Sequence, residues 1–288
     1  MNPQSPPNPP RQSSPSAGHS DTHAPIMAGA AIELPASITV NGIAHAVMMV
    51  TPTAMEAFAT GFAFSEGIID SIDDLRDLTV SHLRRPLLPE APQSANPSPE
   101  IDTITLELEI SPRQWQRYRN TRQLRQGSSG CGLCGHEALA TAMPALAPLA
   151  PSALPAPEQL QGLQALLARE QLQQPSGNGL HAALLRAPDG ESLCCLQDIG
   201  RHNALDKVIG HALLQGVALE NHSVLMSSRS SVELVQKAVR ARLSTLLHLG
   251  SPSTLAIQLA RHYRLNLLQV TRQQRVQVHA GPDSETTP

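Results

Sequence analysis

SLCCLQDIGRHNALDKVIGHALL, residues 192–214, passes from a short apolar segment through a polar turn into a stretch whose apolar residues recur at helical spacing. Two stretches downstream repeat that order: SVLMSSRSSVELVQKAVRARL (223–243) and STLLHLGSPSTLAIQLARHY (244–263). Strands alternating with helices predict an α/β fold whose sheet has parallel neighbours, and in such sheets ligands collect outside the carboxyl ends of the strands. The three polar loops are therefore expected along one edge.

Each loop also ends at a helix N-terminus, where unpaired backbone N–H groups and the positive end of the dipole favour an anion. Ser230 and Glu233 have capping-box spacing, and Arg201 and Arg229 set guanidinium forks beside two of these termini. Together they form a candidate phosphate cradle. The plain alternative is that Ser230, Ser231, Ser251 and Ser253 only cap helices and the arginines are solvated.

Upstream the grammar changes. ASITVNGIAHAVMMVT (36–51) reads as strand, Asn-Gly turn, strand. TPTAMEAFATGFAFSEGII (51–69) then predicts a helix opened by a Thr53/Glu56 capping box, with Met55, Phe58 and Phe62 on its core face. TITLELEI (103–110) alternates as a strand. Proline-rich stretches at 84–100 and 143–159 exclude helix and central strand and read as a surface insertion and a connector between lobes. The expected organisation is a disordered tail (1–27), an N-terminal lobe (28–126), a segment of loop, helix and connector (127–158), a C-terminal α/β lobe (159–282) and a disordered end (283–288).

The tail, rich in Pro and Ser, has too little to bury to offset the entropy of ordering. It lacks the basic start and apolar block of a secretory signal, and no run approaches the ~18 apolar residues of a membrane span. A soluble, cytoplasmic protein without membrane contact is expected. Aromatic residues make up 2% of the chain, so Leu, Ala, Val and Ile must build the core. A formal net charge of −3 provides no general attraction to nucleic acid, so an anion needs a local site. Four cysteines are too few for a disulfide framework.

Two of those cysteines stand in GSSGCGLCGHEAL (127–139). A structural zinc site needs four ligands, and Cys131, Cys134 and His136 supply at most three. No His-x-Glu of the zinc deaminases occurs in the chain. A thioredoxin-like pair would follow a strand, which RQLRQGSSG does not resemble. Gly130, Gly132 and Gly135 leave room for a large partner to approach the sulfurs. Arg122, Arg125, His136 and the following helix N-terminus would favour the thiolate of Cys131. Zinc module, disulfide exchanger and sulfur-passing nucleophile all stay open on these residues. Cys194 and Cys195, adjacent in an apolar run, read as packing residues.

CGLCG, GFAFSEGII, QDIGRHNALDKVIG, SSRSSVELVQKA and GSPSTLAIQLA, in this order, resemble the FdhD family of formate dehydrogenase accessory sulfurtransferases. The likeness runs from about Glu33 to His279, apart from the proline-rich insertion. It implies a persulfide carrier that takes sulfur from a cysteine desulfurase and delivers it to the molybdenum (or tungsten) bis-guanine-dinucleotide cofactor required by formate dehydrogenase. The cofactor is then bound as substrate, and no permanent metal is expected. It also implies Cys131 as the persulfide-bearing residue with Cys134 beside it, a cytidine deaminase-like three-layer α/β sandwich with a smaller N-terminal α+β lobe, and a homodimer that binds guanine nucleotides.

On that resemblance the cofactor pocket is assigned to Arg201, His202, Asn203, Asp206, Lys207, Arg229 and Ser230, with Val270, Thr271, Arg272, Gln273, Gln274 and Arg275 as the C-terminal cofactor segment. His202 and Asp206, four apart, are expected to share a helix face. Three positions depart from the family pattern: Gln197 replaces an acidic residue, GNGLH (Gly177 to His181, including Asn178) replaces a Thr-Gly-Gly run before histidine, and Gln274 replaces glycine.

Overall fold

The computed structural model describes residues 30–86, 99–126, 145–173 and 179–282. In the first lobe, β1 (Leu34–Val40) and β2 (Ile43–Val50) form the expected hairpin. Asn41 and Gly42 both have positive φ, 45° and 74°, as a two-residue turn matching strand twist requires. Strand β4 (Glu100–Ile110) lies parallel to β1 and antiparallel to β3 (Leu75–Pro86), giving the order β2-β1-β4-β3. Arg84, Arg85 and Pro86 thus belong to an edge strand rather than to the insertion, and an edge tolerates proline. Residues 87–98 lie outside the described residues.

Helix α1 (Met55–Ser65) lays Met55, Phe58 and Phe62 into this lobe's core. Complete burial of a side chain such as Phe58 is worth about 1.5–3 kcal/mol. The expected Thr53 cap is absent: Ala54 occupies the N-cap position without a side-chain bond, and the Thr53 hydroxyl accepts from Lys207 Nζ instead (3.3 Å). A second helix, α2 (Pro112–Gln126), closes the lobe with Trp115 and Tyr118 against the same core.

The second lobe is a six-stranded sheet of order β10-β9-β8-β7-β5-β6. β7 (Ser223–Met226) and β8 (Thr245–His248) are parallel, as predicted, and β9 (Asn266–Val270) continues parallel beside β8. Contrary to expectation, β6 (Ser192–Asp198) does not join them directly, because β5 (His181–Arg186) intervenes antiparallel to both β6 and β7. Two reversals restore direction, so β6, β7 and β8 still point their carboxyl ends to one edge. Strand β10 (Val276–Ala280) returns antiparallel beside β9.

Helices α4 (Arg201–Leu214), α5 (Val232–Arg240) and α6 (Thr254–Tyr263) cover one face of this sheet, and α3 (Leu163–Leu172) covers the other through Leu163 and Leu167. The lobe is therefore three-layered. With both faces covered, SVLM and TLLH are buried at every position and show no alternation between core and solvent. The 143–159 connector is described from residue 145 and is pinned along the second lobe: Leu149 N–H donates to the Tyr263 carbonyl (2.9 Å), and Asn266 Nδ2 donates to the carbonyls of Ser152 and Ala153. None of the helices in the described residues is long and apolar enough to cross a membrane.

The lobes meet where α1 crosses α4. A Cβ on Gly61 would stand 1.8 Å from the Asp206 carbonyl oxygen, and one on Gly210 would stand 1.8 Å from that of Ala57. Only hydrogen at both positions permits this approach.

Candidate anion-binding cleft

The carboxyl ends of β6, β7 and β8 feed the starts of α4, α5 and α6, and a cleft of about 560 Å³ opens between these loops. His181 and Arg201 form one wall, Ser228 to Ser231 the second, and Ser251, Pro252 and Ser253 the third. The second and third loops are knitted together by Gly250 N–H to the Ser228 carbonyl (3.2 Å) and Ser253 N–H to the Ser230 carbonyl (3.1 Å). A Cβ on Gly250 would lie 2.8 Å from Arg229 Cγ and 3.0 Å from Arg229 N, so glycine is what lets them close.

Ser253 caps α6 by accepting from Ala256 N–H (3.2 Å). The Ser230/Glu233 capping box does not form. Ser231 holds the N-cap position of α5 with no side-chain cap, and Ser230 Oγ is buried without a partner among the described residues. Arg201 Nε is likewise buried and has no partner among the described residues. Desolvated donors left unpaired cost free energy unless a ligand meets them. Two of them on the walls of a cleft at three helix N-termini suit a polyanion such as a nucleotide diphosphate.

Arg201, Arg229 and Ser230 all line this cleft. His202 sits beside the cleft, its Nε2 2.8 Å from Glu233 Oε2 and 3.3 Å from Ser231 Oγ. It shares no bond with Asp206, which faces α5 instead. Burial pulls the His202 pKa below its ordinary value, and Arg201 and Lys237 add to this against the opposing pull of Glu233. His181, read from sequence only as a departure, lines the cleft, and burial and then Arg201 lower its pKa.

Asn203, Asp206 and Lys207, expected on the pocket wall, turn inward. Asp198 and Lys207 form a fully buried ion pair at 2.7 Å. Asp198 also accepts from the N–H groups of Thr51 and Gly200 and from Asn203 Nδ2. Lys207 Nζ donates to the carbonyls of Thr51 and Gln197, and Asn203 Nδ2 to that of Met49. These bonds fasten the β2–α1 link of the first lobe to the turn that launches Arg201. Asp206 pairs with Lys237 Nζ at 2.9 Å and accepts from Ser65 Oγ at 2.6 Å. Burial works against a charged Lys237, yet the carboxylates of Asp206 and Glu66 outweigh it and raise its pKa. Their helical setting explains the inward turn: 203, 206, 207 and 210 share the α4 stripe that faces the first lobe.

Val270 also leaves the expected site, being 1% exposed in the core beside α3. Thr271 to Arg275 form the exposed β9–β10 turn at the same sheet edge, beside a shallow recess of about 500 Å³ that Thr271, Arg272, Gln273 and Arg275 help to line. Gln274 has φ 59°, a left-handed conformation that favours glycine. Gln269 Nε2 donates to Ser251 Oγ (3.1 Å), joining the end of β9 to the third wall of the cleft.

Cys131, Cys134 and Asn178 lie outside the described residues. Burial pushes the Cys194 and Cys195 thiols up to about 11 and about 12, which makes them poor nucleophiles and agrees with a packing role. Among the described residues no group of three or more His, Cys, Asp or Glu could hold a metal ion.

The FdhD/NarQ family model matches residues 31–285. A sulfur carrier protein FdhD from Bordetella parapertussis is 35% identical over 251 residues, covering 87% of this chain and 84% of that one. Its counterpart from Burkholderia mallei is 36% identical over 245 residues, covering 84% of each chain. A crystal structure of a putative formate dehydrogenase accessory protein from Desulfotalea psychrophila shares the fold, with a TM-score of 0.58, 23% identity and 88% of each chain covered. By the extent of the family match and the identity to these relatives, the chain belongs to the FdhD/NarQ family.

Proposed function

We propose that this protein is a cytoplasmic sulfurtransferase that carries sulfur as a persulfide on Cys131, from a cysteine desulfurase to the molybdenum bis-guanine-dinucleotide cofactor of formate dehydrogenase. Relatives that are 35% and 36% identical bear the name sulfur carrier protein, which supports the sulfur chemistry. The observation that carries the cofactor half is the cleft, where Arg201 Nε and Ser230 Oγ are buried between three helix N-termini without partners among the described residues. On this reading they receive the phosphates of a guanine nucleotide, Arg229 closes over them, and the Thr271–Arg275 turn lies alongside. The second lobe is read as deaminase-like and the working unit as a homodimer.

Loading is a thiol–persulfide exchange. The Cys131 thiolate attacks the terminal sulfur of the donor persulfide, a new sulfur–sulfur bond forms, the donor's own breaks, and the donor cysteine leaves as thiolate. Electrons and protons balance without a further redox partner. Cys134 serves as the neighbouring thiol.

Mass spectrometry after incubation with desulfurase and cysteine should find one added sulfur on Cys131. The Cys131→Ala variant should gain none and should fail to restore formate dehydrogenase. Titration with guanosine diphosphate should show binding that Arg201→Ala weakens. A protein that forms only a reversible Cys131–Cys134 disulfide would overturn the sulfur half, and one indifferent to the nucleotide would overturn the cofactor half.

A further inference from the structure

The α2 segment PRQWQRYRNTRQLRQ holds five arginines and no Asp or Glu, in a chain of net charge −3. Its inward side is fixed by Gln114, Trp115 and Tyr118, which pack on the first lobe, while Arg113, Arg117 and Arg119 are exposed. Arg117 is engaged by Asp70. Arg113 and Arg119 have no ion-pair partner among the described residues.

Folding does not account for this arrangement. Arg113 is the second residue of the helix, next to the positive end of its dipole, and no acidic residue offsets it in the first turn. A face kept only for solubility would intersperse both signs. Cys131 follows Gln126 by only five positions of sequence, and a chain of that length spans at most about 18 Å. A protein exchanging sulfur with that cysteine must therefore bring its own surface close to α2.

We infer that α2 is a docking helix for an acidic protein surface, that of the desulfurase surrounding its persulfide-bearing cysteine. This rests on the sulfur-carrier reading. The cofactor's phosphates have their own cleft, whereas the donor must reach Cys131 itself, which favours the donor as occupant. Complementary charge of this kind mainly raises the association rate and is screened by salt.

The test uses the full chain and an Arg113→Glu/Arg119→Glu variant, following sulfur gain on Cys131 with time at low and at physiological ionic strength. Loading by desulfurase and cysteine should slow at least tenfold in the variant at low salt and lose most of its salt dependence. An Arg113→Gln/Arg119→Gln variant should fall between. Loading by inorganic polysulfide, which needs no docking, should match wild type in both. Equal desulfurase loading of variant and wild type would overturn the inference, as would an equal loss with polysulfide or a selective loss of guanosine diphosphate binding. Failure of the wild type itself to load would instead remove the sulfur-carrier reading.

Discussion

Lys207 Nζ stands 2.7 Å from Asp198 Oδ2 with both side chains fully buried, and the pair bolts the first lobe to the base of the cleft. Removing one partner leaves a desolvated charge with no counter-ion, which costs more than the pair itself contributes. Lys207→Met should therefore destabilise the protein by about 3–5 kcal/mol. Urea unfolding read by circular dichroism checks this, and a loss below about 1 kcal/mol would mean that water or a shifted side chain replaces the ammonium.

The α1–α4 crossing sets two opposing effects against each other. Alanine at Gly210 gains about 1 kcal/mol of helix propensity. Its Cβ, however, would sit 1.8 Å from the Ala57 carbonyl, and overpacking of this kind typically costs about 1–3 kcal/mol or more. Backbone cannot rotate away as a side chain can, so Gly210→Ala should lower the thermal midpoint. A raised midpoint would show that the helices separate freely.

Cys194 and Cys195 should resist alkylation by iodoacetamide at neutral pH in the folded protein and react only after denaturation. Their thiols are pushed up to about 11 and about 12 by burial, so almost no thiolate is present to attack. Peptide mapping of the folded and denatured protein distinguishes the two states, and rapid labelling of either cysteine in the folded protein would contradict its placement in the sheet.

What could be read from the sequence was whatever repeats as a local pattern. The three strand–loop–helix units, the Asn41-Gly42 hairpin and the convergence of Arg201, Arg229 and Ser230 all follow from periodicity and turn chemistry. The inward turn of Asn203, Asp206 and Lys207 was hidden because a polar stripe looks solvated until its partners appear, and those partners, Met49, Thr51, Ser65 and Lys237, are remote in the chain. Thr53 matched a capping box, yet a buried ammonium took its hydroxyl. Helix α2 escaped notice because Trp115, Tyr118 and Leu124 are too few to draw an apolar stripe, and β3 because an edge strand alternates only weakly.

His248 makes a pH prediction with a definite sign. Its ring is fully buried on β8 with neither nitrogen bonded among the described residues, and burial, with His279 nearby, drives its pKa to about 3. The unfolded chain takes up this proton below about 6.5, whereas the folded one does not until about 3. Stability should thus be complete above about 6.5 and fall as pH drops toward 3, by up to about 1.4 kcal/mol per pH unit from this residue. His181, His202 and His279 are lowered too, so wild type should lose more than one histidine's share. His248→Leu should flatten the slope of urea stability by about half a proton at pH 6.5, rising toward one proton by pH 5, and identical slopes would place the ring in contact with water.

Gly250 allows the cleft to be perturbed without touching any of its polar groups. An added Cβ would meet Arg229 Cγ at 2.8 Å, its N at 3.0 Å and its Cα at 3.1 Å. Cγ could swing aside, but the two backbone atoms can move only if the 227–231 loop retreats by a few tenths of an ångström. That retreat would strain the Gly250–Ser228 bond and carry Arg229 away from Arg201 and Ser230. Convergent charge-assisted bonds are sensitive to such displacement, so Gly250→Ala should weaken guanosine diphosphate binding about tenfold, or about 1.4 kcal/mol. Its thermal midpoint should fall less than that of Gly210→Ala, because the loop lies at the surface and can yield. Calorimetric titration beside a melting curve reads both, and an affinity equal to wild type would show that the nucleotide does not use Arg229.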